Sequence, residues 1–293
     1  VDPKSLLDRW LSKPEPSPGL VSALGDLERL GRDRPELAGP SRTLGLLLIE
    51  AFDGHRPGAI DEAAWEAMRA SWSRGEPSFR AYLPTIDPTK LASRLRRVLG
   101  TLGPEVATAG AFAKAIRAKR LDPRAWVAEV LAGRPEEVER QARELGIDPT
   151  LATSTLRLAL LPSLAPISAR LDPMRTERAW ERGDCPHCGS RPLLAESRGL
   201  EQRIHYRCGL CAADWPGERL RCPSCGEVDS RSLHYSFVEG EQDRSRLAHC
   251  DACRYDWKVV STLTALTSPA MIVADLATVH LDLLAADRRE IVG

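Results

Sequence analysis

The sequence predicts a mostly α-helical N-terminal domain, followed by two small cysteine-built β modules and a C-terminal helix. Three observations carry this. All eight cysteines fall between residues 185 and 253, as four Cys-x-x-Cys pairs. The 180 residues before them read as helices punctuated by Asp-Pro and Gly. Apolar residues at helical spacing return near the C-terminus. The expected division is a helical domain over 1–181, a first four-cysteine module over 182–218, a second over 219–262, and a terminal helix over 263–293 packed back on the body.

The helical region is read element by element. Leu6, Leu7 and Trp10 precede a Pro-rich break at 13–19, and a short helix over 19–31 ends near Gly31. Residues 41–52 read as a buried helix, with a strand as the lesser alternative. Trp65, Met68 and Trp72 fall on one helical face, the pattern of a core stripe. Asp-Pro occurs at 87–88, 122–123, 148–149 and 172–173, each ahead of a helical pattern. Aspartate at the N-cap accepts orphan backbone amides, and proline in the first turn has no amide to leave unpaired. Gly100, Gly133 and Gly146 stand where the corresponding helices should stop. Leu91, Leu95 and Leu99 form one apolar face, and Trp126, Val127, Val130 and Leu131 another. An alanine-rich helix is expected between Thr101 and Lys119. Residues 149–161 and 173–181 read as separate helices, with Pro162 and Pro166 between them. Arg94, Arg96 and Arg97 read as a solvated helix face. Over 269–290, Ile272, Leu276, Val279, Leu283 and Leu284 make one last amphipathic helix.

The cysteine region is a tandem repeat. The first copy opens with Cys185-Pro-His-Cys188-Gly and closes with Cys208-Gly-Leu-Cys211-Ala-Ala-Asp214-Trp215. The second opens with Cys222-Pro-Ser-Cys225-Gly and closes with Cys250-Asp-Ala-Cys253-Arg-Tyr-Asp256-Trp257. Two cysteines separated by two residues in a tight turn put both sulfurs on one metal, and a second such pair completes a tetrahedron. Proline after the first cysteine stiffens the turn, and glycine after the second accepts a left-handed backbone. Successive pairing gives Cys185, Cys188, Cys208 and Cys211 as one ligand set and Cys222, Cys225, Cys250 and Cys253 as the other. The 19 and 24 intervening residues suit a β-hairpin or ribbon, and 200–207 and 231–238 alternate accordingly. Pairing Cys208/Cys211 with Cys222/Cys225 would strand the outer pairs. Disulfides and a redox dithiol fit the four-pair framework less well than metal. His187, His205, His234 and His249 are not needed as ligands, because four thiolates already fill each site. Trp215 and Trp257 read as apolar lids. The spacing does not choose between zinc and iron, since both accept four thiolates.

Composition narrows the function classes. The net charge is +0, and seven of the fifteen aromatic residues are tryptophan. No run of 18 apolar residues occurs, so no membrane insertion is expected. Val-Asp-Pro-Lys-Ser-Leu-Leu at the start does not read as a signal peptide, and its lack of Met suggests that a short start precedes it. Residues 181–260 hold 12 Lys/Arg against 13 Asp/Glu, which gives no electrostatic footprint for nucleic acid. The helical region shows no Gly-rich phosphate loop, nucleophile elbow or His-Glu-x-x-His, and no catalytic residue is expected.

The run Trp180-Glu-Arg-Gly-Asp-Cys-Pro-His-Cys-Gly-Ser-Arg-Pro, then His-Tyr-Arg-Cys-Gly-Leu-Cys-Ala-Ala-Asp-Trp, then Arg-Cys-Pro-Ser-Cys-Gly and a fourth pair, behind a helical half, resembles the FdhE family of formate dehydrogenase accessory proteins. The specific part of the resemblance is Trp180 to Trp257, with Val279-His-Leu-Asp-Leu-Leu-Ala-Ala also similar. It implies a cytoplasmic maturation factor for respiratory formate dehydrogenase that binds the catalytic subunit and carries two rubredoxin-like or zinc-ribbon-like modules. It implies iron in two Fe(Cys)4 sites, with zinc as the alternative, on the eight cysteines, and no catalytic residue. Ala212 and Arg254 stand where a rubredoxin knuckle more often has Gly. A rubredoxin-type electron carrier and a zinc-ribbon nucleic-acid binder are the competing functions. A homo-oligomer is compatible with all three. Cys188→Ser is expected to unfold the first module and leave the helical domain folded.

Overall fold

The computed structural model describes residues 17–52, 60–81, 86–103, 106, 108–172 and 180–292. The apolar residues Leu6, Leu7 and Trp10 and most of the helix expected over 173–181 lie outside them, and Trp180 and Glu181 are not helical. The body consists of α1 (Pro18–Asp33), α2 (Ala38–Phe52), α3 (Glu62–Ser73), the single turn α4 (Ser78–Ala81), α5 (Pro88–Leu102), α6 (Ala109–Arg117), α7 (Pro123–Leu131), α8 (Pro135–Glu144) and α9 (Pro149–Leu171).

Three helices start as their Asp-Pro pairs predict. The Asp87 carboxylate accepts from the Thr89 and Lys90 amides, Asp122 from Arg124 and Asp148 from Leu151. The fourth pair behaves differently, because Asp172 stands at the C-terminal end of α9. Gly133 and Gly146 follow α7 and α8 with positive φ, whereas α5 runs through Gly100 and ends at left-handed Gly103.

Two further expectations give way to packing. Pro162 and Pro166 do not divide the chain: α9 is continuous over 23 residues. Each proline removes an amide bond and crowds the preceding turn. The core around Leu156, Leu160, Leu161, Leu164 and Ile167 nevertheless holds the helix together, since tertiary burial supplies most helical stability. Arg94 is buried, unlike exposed Arg96 and Arg97. Its Nη1 donates to the Ala159 carbonyl at 2.6 Å and to Ser163 Oγ at 3.2 Å, and burial pushes its pKa down to about 10.

The cysteine region forms one sheet of β1 (Leu194–Arg198), β2 (Arg203–Arg207), β3 (Asp214–Pro216), β4 (Leu233–Ser236), β5 (Ser245–Cys250) and β6 (Tyr255–Thr262). The strand order is β3-β2-β1-β6-β5-β4. Each repeat contributes an antiparallel three-stranded meander, and the two meet through the parallel β1/β6 pair, with Ala195 opposite Val259. The first strand of one repeat thus receives the last strand of the other, so the repeats follow head to tail across the sheet.

The C-terminal segment is α10 (Ser268–Ala277) and α11 (Val279–Val292), bent by 53° at the break between them. Val273 of α10 packs with Leu20, Ala23, Leu27 and Leu48 of the body, and Leu281 and Ala285 of α11 pack with Leu247 of β5. Buried Lys258 of β6 ties both helices down: Nζ pairs with Asp275 and with Asp282 at 2.9 Å, and donates to the Asp275 carbonyl at 3.1 Å. Among the described residues no single helix is long and apolar enough to cross a membrane. The main buried cluster runs from Trp65 and Met68 through α9 to Trp215, Trp257 and the cysteines other than Cys225. Body and sheet share that core.

Candidate metal centres

The chain folds the eight cysteines into two sets of four: Cys185, Cys188, Cys208 and Cys211, and Cys222, Cys225, Cys250 and Cys253. Within each set the sulfurs lie within 4.8 Å of one another. In the first, Sγ–Sγ separations are 3.5 Å for Cys185–Cys211, 3.4 Å for Cys188–Cys208 and 3.8 Å for Cys188–Cys211. In the second they are 3.6 Å for Cys222–Cys253 and 3.7 Å for Cys225–Cys250. A tetrahedron with metal–sulfur bonds of about 2.3 Å has edges of roughly 3.8 Å, so these cages match a four-thiolate site and none of the eight is disulfide-bonded. The pairing is successive, as the repeat predicts.

Local backbone chemistry builds each knuckle. The amides of His187, Leu210 and Ser224 point at the sulfurs of Cys185, Cys208 and Cys222, each at 3.4 Å. Such bonds favour thiolate over thiol. Behind them the Gly189, Ala212 and Gly226 amides donate back to the carbonyls of Cys185, Cys208 and Cys222 at 2.9–3.0 Å. All four knuckles pass through a left-handed residue after their second cysteine: Gly189 (φ 74°), Ala212 (57°), Gly226 (79°) and Arg254 (57°). Glycine fits this region freely, whereas Ala212 and Arg254 enter it at a steric cost. Burial pushes the Cys185 and Cys211 thiols well above their ordinary range. Four thiolates this close repel one another, and a bound cation would offset that repulsion.

The histidines have partners other than the cages. His187 Nε2 meets Asp172 at 2.9 Å, His205 Nδ1 meets Asp214 at 2.8 Å, His249 Nδ1 meets Asp256 at 2.6 Å, and His234 Nε2 meets Asp251 at 2.8 Å. The repeated aspartate of the closing motif, Asp214 or Asp256, is thus a histidine partner in both modules. Burial opposes the charge of Asp214, but His205, Arg198 and Arg207 overcome it and hold the carboxyl at about 2. Trp215 and Trp257 are buried in the same cluster as the cysteines, beside Tyr206 and Tyr255.

No sequence motif signals how the first knuckle docks. The Ser78 and Phe79 amides at the start of α4 donate to the Pro186 and His187 carbonyls at 3.0 and 2.7 Å. Trp180 stacks on Trp72 at 4.8 Å. A Cβ added at Gly183 would strike the backbone of Pro223, so the entry to the first module lies directly on the opening knuckle of the second. Tyr206 also donates to the Arg221 carbonyl at 3.3 Å.

This is the architecture of a helical protein bearing paired four-cysteine modules on a single sheet. No family model matches the chain. Its sequence is similar to the FdhE homolog of Aquifex aeolicus, 31% identical over 146 residues that cover 47% of this chain and 50% of that one. It is also similar to FdhE of Escherichia coli O127:H6, 34% identical over 104 residues covering 35% of this chain and 31% of that one. The matched part thus spans about half of the first relative and about a third of the second. The crystal structure of the FdhE protein from Pseudomonas aeruginosa shares the fold, with a TM-score of 0.59, 24% identity, and coverage of 94% of this chain and 93% of that chain. The chain is thus similar in part to curated FdhE proteins and shares its fold with one of solved structure.

Proposed function

We propose that this protein is an accessory factor in the maturation of respiratory formate dehydrogenase, binding the catalytic subunit in the cytoplasm. The proposed ligands are Cys185, Cys188, Cys208 and Cys211 for one metal and Cys222, Cys225, Cys250 and Cys253 for the other. Iron is the leading ion and zinc the alternative. In this reading the helical body (1–181), the modules (182–218 and 219–262) and the terminal segment (263–293) together serve a client, and no residue acts as a catalyst. The observation that carries it is the pair of preorganised four-sulfur cages on one sheet in a chain similar to FdhE proteins. When bound, the metal supplies the cross-link that a module of this size lacks, on the order of 10 kcal/mol of folding free energy per site. The cysteines hold it, the knuckle amides keep the sulfurs ionised, and the buried tryptophans pack in the core beneath.

One observation favours a second reading, a rubredoxin-type electron carrier: Cys225 is exposed, which gives an outside partner a short path to that centre.

Anaerobically purified protein tests both. About two metals per chain are expected, and immobilised protein should retain the catalytic subunit of formate dehydrogenase. Two irons with a visible band that dithionite bleaches reversibly would keep electron transfer in play. Two zincs would leave a structural role. Failure to retain the catalytic subunit in the metal-loaded state would overturn the maturation reading.

A further inference from the structure

The two cages differ in what surrounds them. In the first, all four cysteines are buried, and the opening knuckle is clasped by the amides of Ser78 and Phe79. In the second, Cys222 and Cys250 are buried, but Cys225 is exposed and Cys253 half-buried. Beside Cys253 opens a cleft of about 270 Å³, walled in part by Arg191, Arg254, Tyr255, Lys258 and Asp282. The charges in that wall are unequally engaged. Lys258 is paired with Asp275 and Asp282, and Asp256, also in the wall, is paired with His249. Arg191 lies over the Tyr255 ring at 5.0 Å, and Arg254 is exposed on the left-handed turn that follows Cys253. Neither guanidinium forms an ion pair among the described residues.

Resting on the metal-binding reading above, we infer that the second centre is an exchange site that admits a small anionic thiol through the cleft beside Cys253, while the first is a sealed joint. Ligand exchange at a four-coordinate metal needs an incoming donor to approach before a resident sulfur leaves. In the first cage no sulfur is open to such an approach. In the second, Cys253 lines a cleft large enough for a small ligand, and Cys225 of the same cage is exposed. A metal with four thiolates is net negative and repels an anion. Arg191 and Arg254 offset that repulsion and select for a negatively charged donor. In the exchange the metal–Sγ bond of Cys253 breaks and a bond to the incoming sulfur forms. The incoming thiol's proton passes to the departing cysteine, and the metal keeps its oxidation state.

The test uses the full chain loaded with metal under anaerobic conditions. Fewer than two bound metals at the outset would defeat the metal-binding reading itself, separately from this inference. With two bound, mercaptoacetate and a chromogenic chelator should release one metal quickly and the other slowly. Alkylation at the end of the fast phase, mapped by mass spectrometry, should fall on Cys222, Cys225, Cys250 and Cys253 and spare the first set. The double variant Arg191→Glu/Arg254→Glu should slow the fast phase about tenfold with mercaptoacetate and leave it unchanged with neutral 2-mercaptoethanol. Release of both metals at one rate, or alkylation of Cys185–Cys211 in the fast phase, would overturn the inference. Equal slowing with both thiols would overturn the selection for an anion.

Discussion

Arg254 holds a backbone with φ of 57° although its side chain is exposed, and Ala212 does the same at the equivalent turn of the first module. An L-residue pays roughly 1–2 kcal/mol for this conformation. Glycine avoids that cost but gives up part of it through its freer unfolded chain, about 0.5–1 kcal/mol. Arg254→Gly should therefore raise the stability of the metal-loaded protein by about 0.5–1 kcal/mol, read from urea unfolding. An unchanged or lower midpoint would mean that the arginine side chain contributes more than its backbone costs. Ala212→Gly should gain less, because Ala212 also packs against the cluster of Leu161, Leu194 and Met271. Two of the four left-handed positions are glycine and legible in the sequence. The other two carry no glycine, and only the repeat of the knuckle marks them.

Within the sheet, one carboxylate joins four segments. Glu196 on β1 is fully buried and receives Arg207 of β2, Arg198 of its own strand at 2.8 Å, Thr262 Oγ1 of β6 at 3.2 Å and the Leu266 amide ahead of α10 at 3.2 Å. Arg207 adds a bond to the Leu266 carbonyl at 2.8 Å. Removing one partner of a buried pair leaves the other charged and unpaired, which typically costs about 3–5 kcal/mol. Glu196→Ala should lose that much in urea unfolding, and Glu196→Ala/Arg207→Met should lose less than the single variant, since it also removes the stranded cation. A single-variant loss of about 1 kcal/mol or less, as for an exposed pair, would show the network to be solvated in solution. Nothing in Leu-Ala-Glu-Ser-Arg announces a buried glutamate. Yet β1 is buried along most of its length, with Leu194 packed against Met271 of α10.

Across the whole molecule, the first centre is part of the joint between helices and sheet. Its knuckle carries the Ser78 and Phe79 bonds, its cysteines belong to the main buried cluster, and Trp180 just upstream stacks on Trp72. The sequence suggested that Cys188→Ser would spare the helical domain, but a shared core couples the two. Cys188→Ser should lower the thermal midpoint of the helical signal as well as the metal content. Cys225→Ser, at the solvent side of the second cage, should lose one metal and leave the helical midpoint close to wild type. Equal helical midpoints for both variants, measured by far-ultraviolet circular dichroism, would count against this coupling.

By itself the sequence determined what repeats and what is local. It made legible the grouping of the eight sulfurs into two successive sets, because Cys-x-x-Cys turns and their Pro and Gly are short-range geometry. It gave the helix starts at Asp87, Asp122 and Asp148, because a cap involves residues two or three apart. It did not give the continuity of α9 through Pro162 and Pro166, the burial of Arg94 or Glu196, or the head-to-tail joining of the modules through β1 and β6. Tertiary structure decided these, because each depends on which surface packs against a segment from elsewhere in the chain. The inequality of the two centres has the same origin. Their cysteine motifs are near copies, and what separates them is that the helical body closes over one and leaves the other facing solvent.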